Sequence, residues 1–143
     1  MQRRKVGTLV KKAALEADRL ANAAFGEHGL TVSQYKMLRF LFCHKETPVR
    51  QVDLEKFFSL THPTATGLLQ TLEKKGLILR LPNPEDARSK LVTPSPTALC
   101  REEALVAVGE AMEMQFTARL DEEERLQLVA LLQKLLGCEA KAK

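Results

Sequence analysis

The sequence predicts a mainly α fold with a small β-wing, and three stretches carry that prediction. The first is Thr61–Gly76, THPTATGLLQTLEKKG, a short helix with a marked start and a marked stop. The second is Arg50–Phe58, RQVDLEKFF, a shorter helix joined to the first by Ser59-Leu60. The third follows Gly76: LILRL, then PNPEDARSK, then LVT. These are two β-type runs around a loop rich in turn residues. Two short helices joined this closely, followed by strand, loop and strand, are the sequence form of a winged helix-turn-helix.

From the N-terminus, Val6, Leu9, Val10, Ala13, Ala17, Leu20, Ala21 and Ala24 form a narrow apolar stripe at helical spacing. Arg3, Lys5, Lys11, Lys12 and Arg19 lie largely off it, and Gly26 or Gly29 closes the helix. A narrow alanine-rich stripe on a long terminal helix is hard to cover from one small domain, so packing against a second subunit is favoured over packing within the chain. Thr31-Val32-Ser33-Gln34 then reads as a capping box, with Leu30 and Tyr35 placed for a hydrophobic staple. Met37, Leu38, Phe40, Leu41 and Phe42 make the second helix apolar around much of its girth, which suits a core position. Thr47-Pro48-Val49 breaks it, and Arg50–Phe58 follows with Leu54, Phe57 and Phe58 inward.

In the Thr61–Gly76 helix, Thr61 or His62 caps the start, and Pro63 is tolerated where its missing amide would be unbonded anyway. Ala65, Leu68, Leu69 and Leu72 share one face. Gly76 in a left-handed position would let Leu77 fold back onto Leu72, as in a Schellman motif. The opposite face carries His62, Thr64, Thr66, Gly67 and Gln70, with no acid before Glu73. Small, polar and not negative, that face suits entry into a DNA major groove. The loop between the β-type runs carries Arg88 and Lys90 at its tip, with Ser89 between them. After it, Ser95-Pro96-Thr97 opens a helix with Leu99, Leu105, Val108, Met112, Phe116 and Leu120 at helical spacing. Asp121–Glu124 starts a last helix, whose leucines make an apolar surface wider than a monomer needs. The tail Lys141-Ala142-Lys143 is expected to fray.

The chain therefore reads as one domain over residues 1–143, with a winged unit at 30–94 and terminal helices at 1–29 and 95–143. Its 143 residues carry a net charge of +4. Lysines and arginines outnumber acids before residue 94, and acids outnumber them after it. A polyanion would thus meet the first two-thirds of the chain. No apolar run approaches the ~20 residues of a membrane span. The basic start lacks the unbroken apolar block of a signal peptide, so the cytoplasm is the expected location and no membrane partner is expected. Cys43, Cys100 and Cys138 are far apart, which argues against a disulfide framework and a cysteine zinc site. The Glu102-Glu103 and Asp121–Glu124 clusters have no accompanying histidine, metal ligand or Gly-rich loop, so an enzyme is not expected, and neither a cofactor nor a metal.

The helix order, with LEKKGLI at 72–78 and DARSKLV at 86–92, resembles the MarR family of bacterial winged-helix transcription regulators over nearly the whole chain. The resemblance implies a homodimer held by its terminal helices and bound to a pseudo-palindromic site in double-stranded DNA. It implies that Arg88 enters the minor groove, steadied by Asp86, and that Thr64 and Thr66 face DNA. A small aromatic or anionic effector between the dimer helices and the winged unit is typical of such proteins. Two departures bear on recognition: family members often carry a basic residue where this chain has Gly67, and again near Thr71. A third, Pro94-Ser95-Pro96 where a threonine usually opens the fifth helix, affects only how that helix starts. Oxidant sensing through a first-helix cysteine, and zinc binding through clustered histidines, find no matching residues here.

The residues expected at DNA are Arg50, Gln51, Thr61, His62, Thr64, Thr66, Gln70, Arg88, Ser89 and Lys90, with Asp86 supporting the wing. Arg50 and Gln51 open their helix, where backbone amides help hold phosphate. Arginine in a narrow minor groove reads shape and potential more than base identity. The expected function is a dimeric repressor. The alternative is a winged-helix module that binds another polypeptide, which the missing basic residues at Gly67 and Thr71 keep open.

Overall fold

The computed structural model describes residues 5–138. The expectations for Arg3 and for the tail Lys141–Lys143 fall outside them. The elements run α1 (Val6–Gly26), α2 (Val32–Cys43), β1 (Val49–Arg50), α3 (Gln51–Phe58), α4 (His62–Lys74), β2 (Ile78–Pro82), β3 (Lys90–Pro94), α5 (Pro96–Phe116) and α6 (Glu122–Leu136).

Local chemistry sets most of the boundaries. Thr31 Oγ1 accepts from the Gln34 amide at 3.1 Å, and Gln34 Oε1 accepts from the Thr31 amide at 3.1 Å, completing the expected capping box of α2. Thr61, rather than His62, caps α4. At its other end Gly76 takes φ +72°, the Leu77 amide donates to the Leu72 carbonyl, and the Gly76 amide to that of Glu73. This is the Schellman stop, and Leu72 and Leu77 both lie in the core. Ser95 caps α5 through the Ala98 amide and also donates to the Gly76 carbonyl at 2.6 Å, so one hydroxyl starts α5 and ties it to the end of α4. Asp121 and Glu124 form the capping box of α6.

The core is built around α2, with Met37, Leu38, Leu41 and Phe42 buried. Leu54 of α3, Leu69 and Leu72 of α4, Ile78 and Val92 of the sheet, and Ala98 and Leu105 of α5 close around it. Phe25 of α1 stacks on Tyr35 with ring centroids 3.8 Å apart.

The structure corrects several expectations. The wing is part of a three-stranded antiparallel sheet in the order β1-β3-β2, because Val49–Arg50, read as a break and a helix start, pairs with Val92 and Leu91. A two-residue strand has too little length to show an alternating pattern. Arg50 consequently precedes α3 as its N-cap. Lys90 is not at the loop tip: it opens β3 opposite Pro82. Phe57, expected inward, is 65% exposed and packs on Phe40 and Phe58 at the surface. An eight-residue helix has room to bury one narrow line, and Leu54 takes it.

The terminal helices leave apolar surface uncovered. Only Ala21 and Phe25 of α1 are buried, and Val6, Leu9 and Val10 of its stripe stand in solvent. Helix α6 buries no residue, and Leu126, Leu128, Val129, Leu131, Leu135 and Leu136 are all exposed in the single chain.

Candidate nucleic-acid interface

The site begins with the turn between α3 and α4. Ser59 closes α3 in the left-handed conformation at φ +53°, donating its amide to the Glu55 and Lys56 carbonyls. The chain reverses there, and Thr61 starts α4. Its hydroxyl caps the Thr64 amide and lies 2.9 Å from the Thr64 hydroxyl. Ala65, Leu69 and Leu72 go into the core. His62, Thr64 and Gln70 are exposed and Thr66 is half-buried, so the outward face expected of this helix is the outward face observed.

Gln51 joins three elements. Its Nε2 donates to Thr66 Oγ1 at 3.0 Å and lies 3.3 Å from His62 Nδ1. Its Oε1 accepts from Arg80 Nη2 at 3.4 Å. His62 Nδ1 also lies 3.2 Å from Glu55 Oε2. The sheet brings Gln51, Thr66, His62 and Arg80 together across α3, α4 and β2.

Arg80 is the residue that sequence reading missed. On a strand, residues two apart share a face. Ile78 is buried, so Arg80 lies on the inner face, while Leu79 and Leu81 are exposed. An arginine in the inner register of an otherwise apolar run was the available signal. Its Nε is buried without a hydrogen-bond partner among the described residues.

Arg50 lies beside this group, paired with its own helix. Its guanidinium donates to both carboxylate oxygens of Asp53, at 2.9 and 3.2 Å, and its amide donates to the same carboxylate. The Asp53 hydrogen bonds hold the Arg50 guanidinium above its ordinary pKa, with Asp86 and Glu85 of the wing adding smaller favourable effects through space. The same Arg50 hydrogen bonds hold the Asp53 carboxyl below its usual range, against partial burial. Arg50 remains exposed, with a fixed and reliably positive head.

The wing loop is ordered by two side-chain turns. Asn83 Oδ1 accepts from the Glu85 amide, and Asp86 Oδ1 accepts from the Arg88 amide at 2.9 Å. Asp86 thus shapes the backbone that carries Arg88, whose side chain is exposed. Ser89 is half-buried and Lys90 is exposed at the base of the loop. Because β3 lies between β1 and β2, the start of α3 and the base of the wing share one sheet.

Residues 30–90 match the MarR family model. Over 133 residues the chain is 32% identical to the multiple antibiotic resistance protein MarR of Escherichia coli, spanning 92% of this chain and 90% of that protein. The chain belongs to the MarR family. Among solved MarR-family structures, a cysteine-to-serine mutant of E. coli MarR complexed with operator DNA is 30% identical, with a TM-score of 0.83 over 92% of this chain and 93% of that one. The S. aureus MepR–DNA complex is 28% identical, with a TM-score of 0.85 over 96% of this chain and all of that one. Gly67 and Thr71, the two positions where the resemblance leads one to expect basic residues, stand exposed on α4. A side chain at Gly67 would meet open space, and the Thr71 hydroxyl is turned back to the Gly67 carbonyl at 3.0 Å.

Proposed function

We propose that this DNA-binding transcription regulator works in the cytoplasm as a homodimeric repressor on a pseudo-palindromic operator. The observation that carries the reading is the fold's close match to two chains complexed with DNA, combined with an outward, acid-poor α4 and an exposed wing arginine in one unit. In the proposed complex α4 enters the major groove, with His62, Thr64, Thr66 and Gln70 toward base edges and thymine methyls. Thr61, Arg50, Ser89 and Lys90 lie toward phosphate, and Arg88 reaches the minor groove on a backbone that Asp86 shapes.

Dimerisation is supported by the uncovered apolar faces of α1 and α6. A two-fold dimer reads two half-sites by placing its recognition helices roughly 34 Å apart, one turn of DNA. A small aromatic or anionic effector that binds one spacing better would shift the population and release the operator. Family membership supports a regulator rather than an enzyme. The protein-interaction alternative is not favoured beside relatives solved on DNA.

The test is a gel-shift titration with duplexes selected from genomic DNA, at two salt concentrations. Affinity is expected to fall steeply with salt, since phosphate contacts release counterions. Arg88→Ala is expected to weaken binding across many sequences, by about five- to fiftyfold. Binding that is absent, or indifferent to salt, would overturn the reading.

A further inference from the structure

Gln51 was expected to touch phosphate, but its amide is engaged within the protein. A guanidinium only donates, so the amide oxygen must face Arg80 and the nitrogen must face α4. One side chain thereby uses its carbonyl on β2 and its amino group on α4, through Thr66 and His62. The bond to Gln51 is the only hydrogen bond from the Arg80 side chain among the described residues, and Arg80 Nε is buried with no partner. Without Gln51 the guanidinium has nothing there to hold it. The tautomer with a bare Nδ1, and its proton on Nε2 at the outer end of a side chain 73% exposed, is the one that lets His62 accept from Gln51. Glu55 competes for the same Nδ1, since a proton there would donate to its carboxylate instead.

We propose that Gln51 is a positioning residue for DNA recognition. It locks the first turns of α4 to the wing strand, so that the recognition helix and the wing meet DNA as one preorganised unit, and it sets which ring nitrogen His62 offers outward. This rests on the DNA-binding reading above. Preorganisation lowers the ordering cost of binding, so the effect is read in affinity and base preference rather than in charge.

The experiment compares wild type, Gln51→Leu, Thr66→Val and the double variant on one duplex selected from genomic DNA and on its single-base variants. Unfolding temperatures serve as the folding control. Gln51→Leu is expected to lower affinity about three- to tenfold, the net worth of one or two neutral hydrogen bonds. It should also relax preference at the base pairs that Thr66→Val affects, and the double variant should be no weaker than the weaker single. Gln51→Met is close to glutamine in length but can donate to neither Thr66 nor His62, so it should show the same relaxed preference even if Gln51→Leu folds poorly. Additive losses that are uniform across sequences would mean that Gln51 touches DNA itself, and unchanged affinity would mean that it does nothing; either overturns the proposal. If wild type binds no duplex, the DNA reading falls. The His62 ring then decides the rest. Its nitrogen-15 shifts, taken above the histidine titration range, should show a bare Nδ1 that becomes protonated in Gln51→Leu, and identical spectra would overturn the positioning role.

Discussion

At Gly109 a hydrogen is the largest side chain that fits. A Cβ there would collide with the Tyr35 hydroxyl. Tyr35 has little room to yield: its ring stacks on Phe25, and its hydroxyl accepts from Arg39 Nη1 at 3.3 Å. Gly109→Ala, which favours a helix intrinsically, is therefore expected to destabilise the protein by about 1–3 kcal/mol, measured by thermal unfolding. Asp53 gives a second residue-scale expectation. Its folded-state pKa lies below the unfolded value, so its contribution is present above the unfolded value and lost as pH falls through the folded one. The unfolding temperature should decline on acidification through and below the ordinary aspartate range, and less steeply in Asp53→Asn. Solvent screening keeps the effect small, because the Asp53 side chain is 39% exposed.

Among the elements, α4 follows most directly from its own residues. A cap at Thr61, a proline in the first turn, an apolar line and a glycine stop are interactions within a few residues of one another. Gly67 alone runs against the helix, in open space on its outer side. Gly67→Lys is expected to stabilise the fold by about 0.5–1 kcal/mol and to steepen the dependence of log affinity on log salt by about one unit. Thermal unfolding and salt titrations check the two halves separately. Strand β1 and the exposure of Phe57 could not be foreseen in the same way. Val49–Arg50 is a strand only because β3 returns beside it from some forty residues later, and Phe57 stays at the surface against Phe40 and Phe58 while Leu54 takes the buried line of α3.

At the scale of the whole molecule, α1 and α5 help close the core around α2, while much of the apolar surface of α1 and α6 is left uncovered. Leu126, Leu128, Leu131, Leu135 and Leu136 of α6 are exposed in the single chain, and burying one contributes about 1.5–3 kcal/mol. Leu131→Glu, at a position 63% exposed, is expected to convert the proposed homodimer to a folded monomer and to lower operator affinity sharply. Sedimentation analysis and circular dichroism check this. A variant that stays dimeric would remove α6 from the proposed interface.

Most helix ends, two of the wing's strands and the outward face of α4 were legible in the chain, because caps, glycine stops and helical periodicity act between residues close along it, and LEKKGLI with DARSKLV pointed to the family. The wing's third strand, the pairing of an exposed Arg50 with Asp53, and the reach of Gln51 to Arg80 came only with the folded chain. Those contacts need partners far apart in sequence, or one geometry among several that a local pattern permits, and the packing of α2, α3 and the sheet selects it.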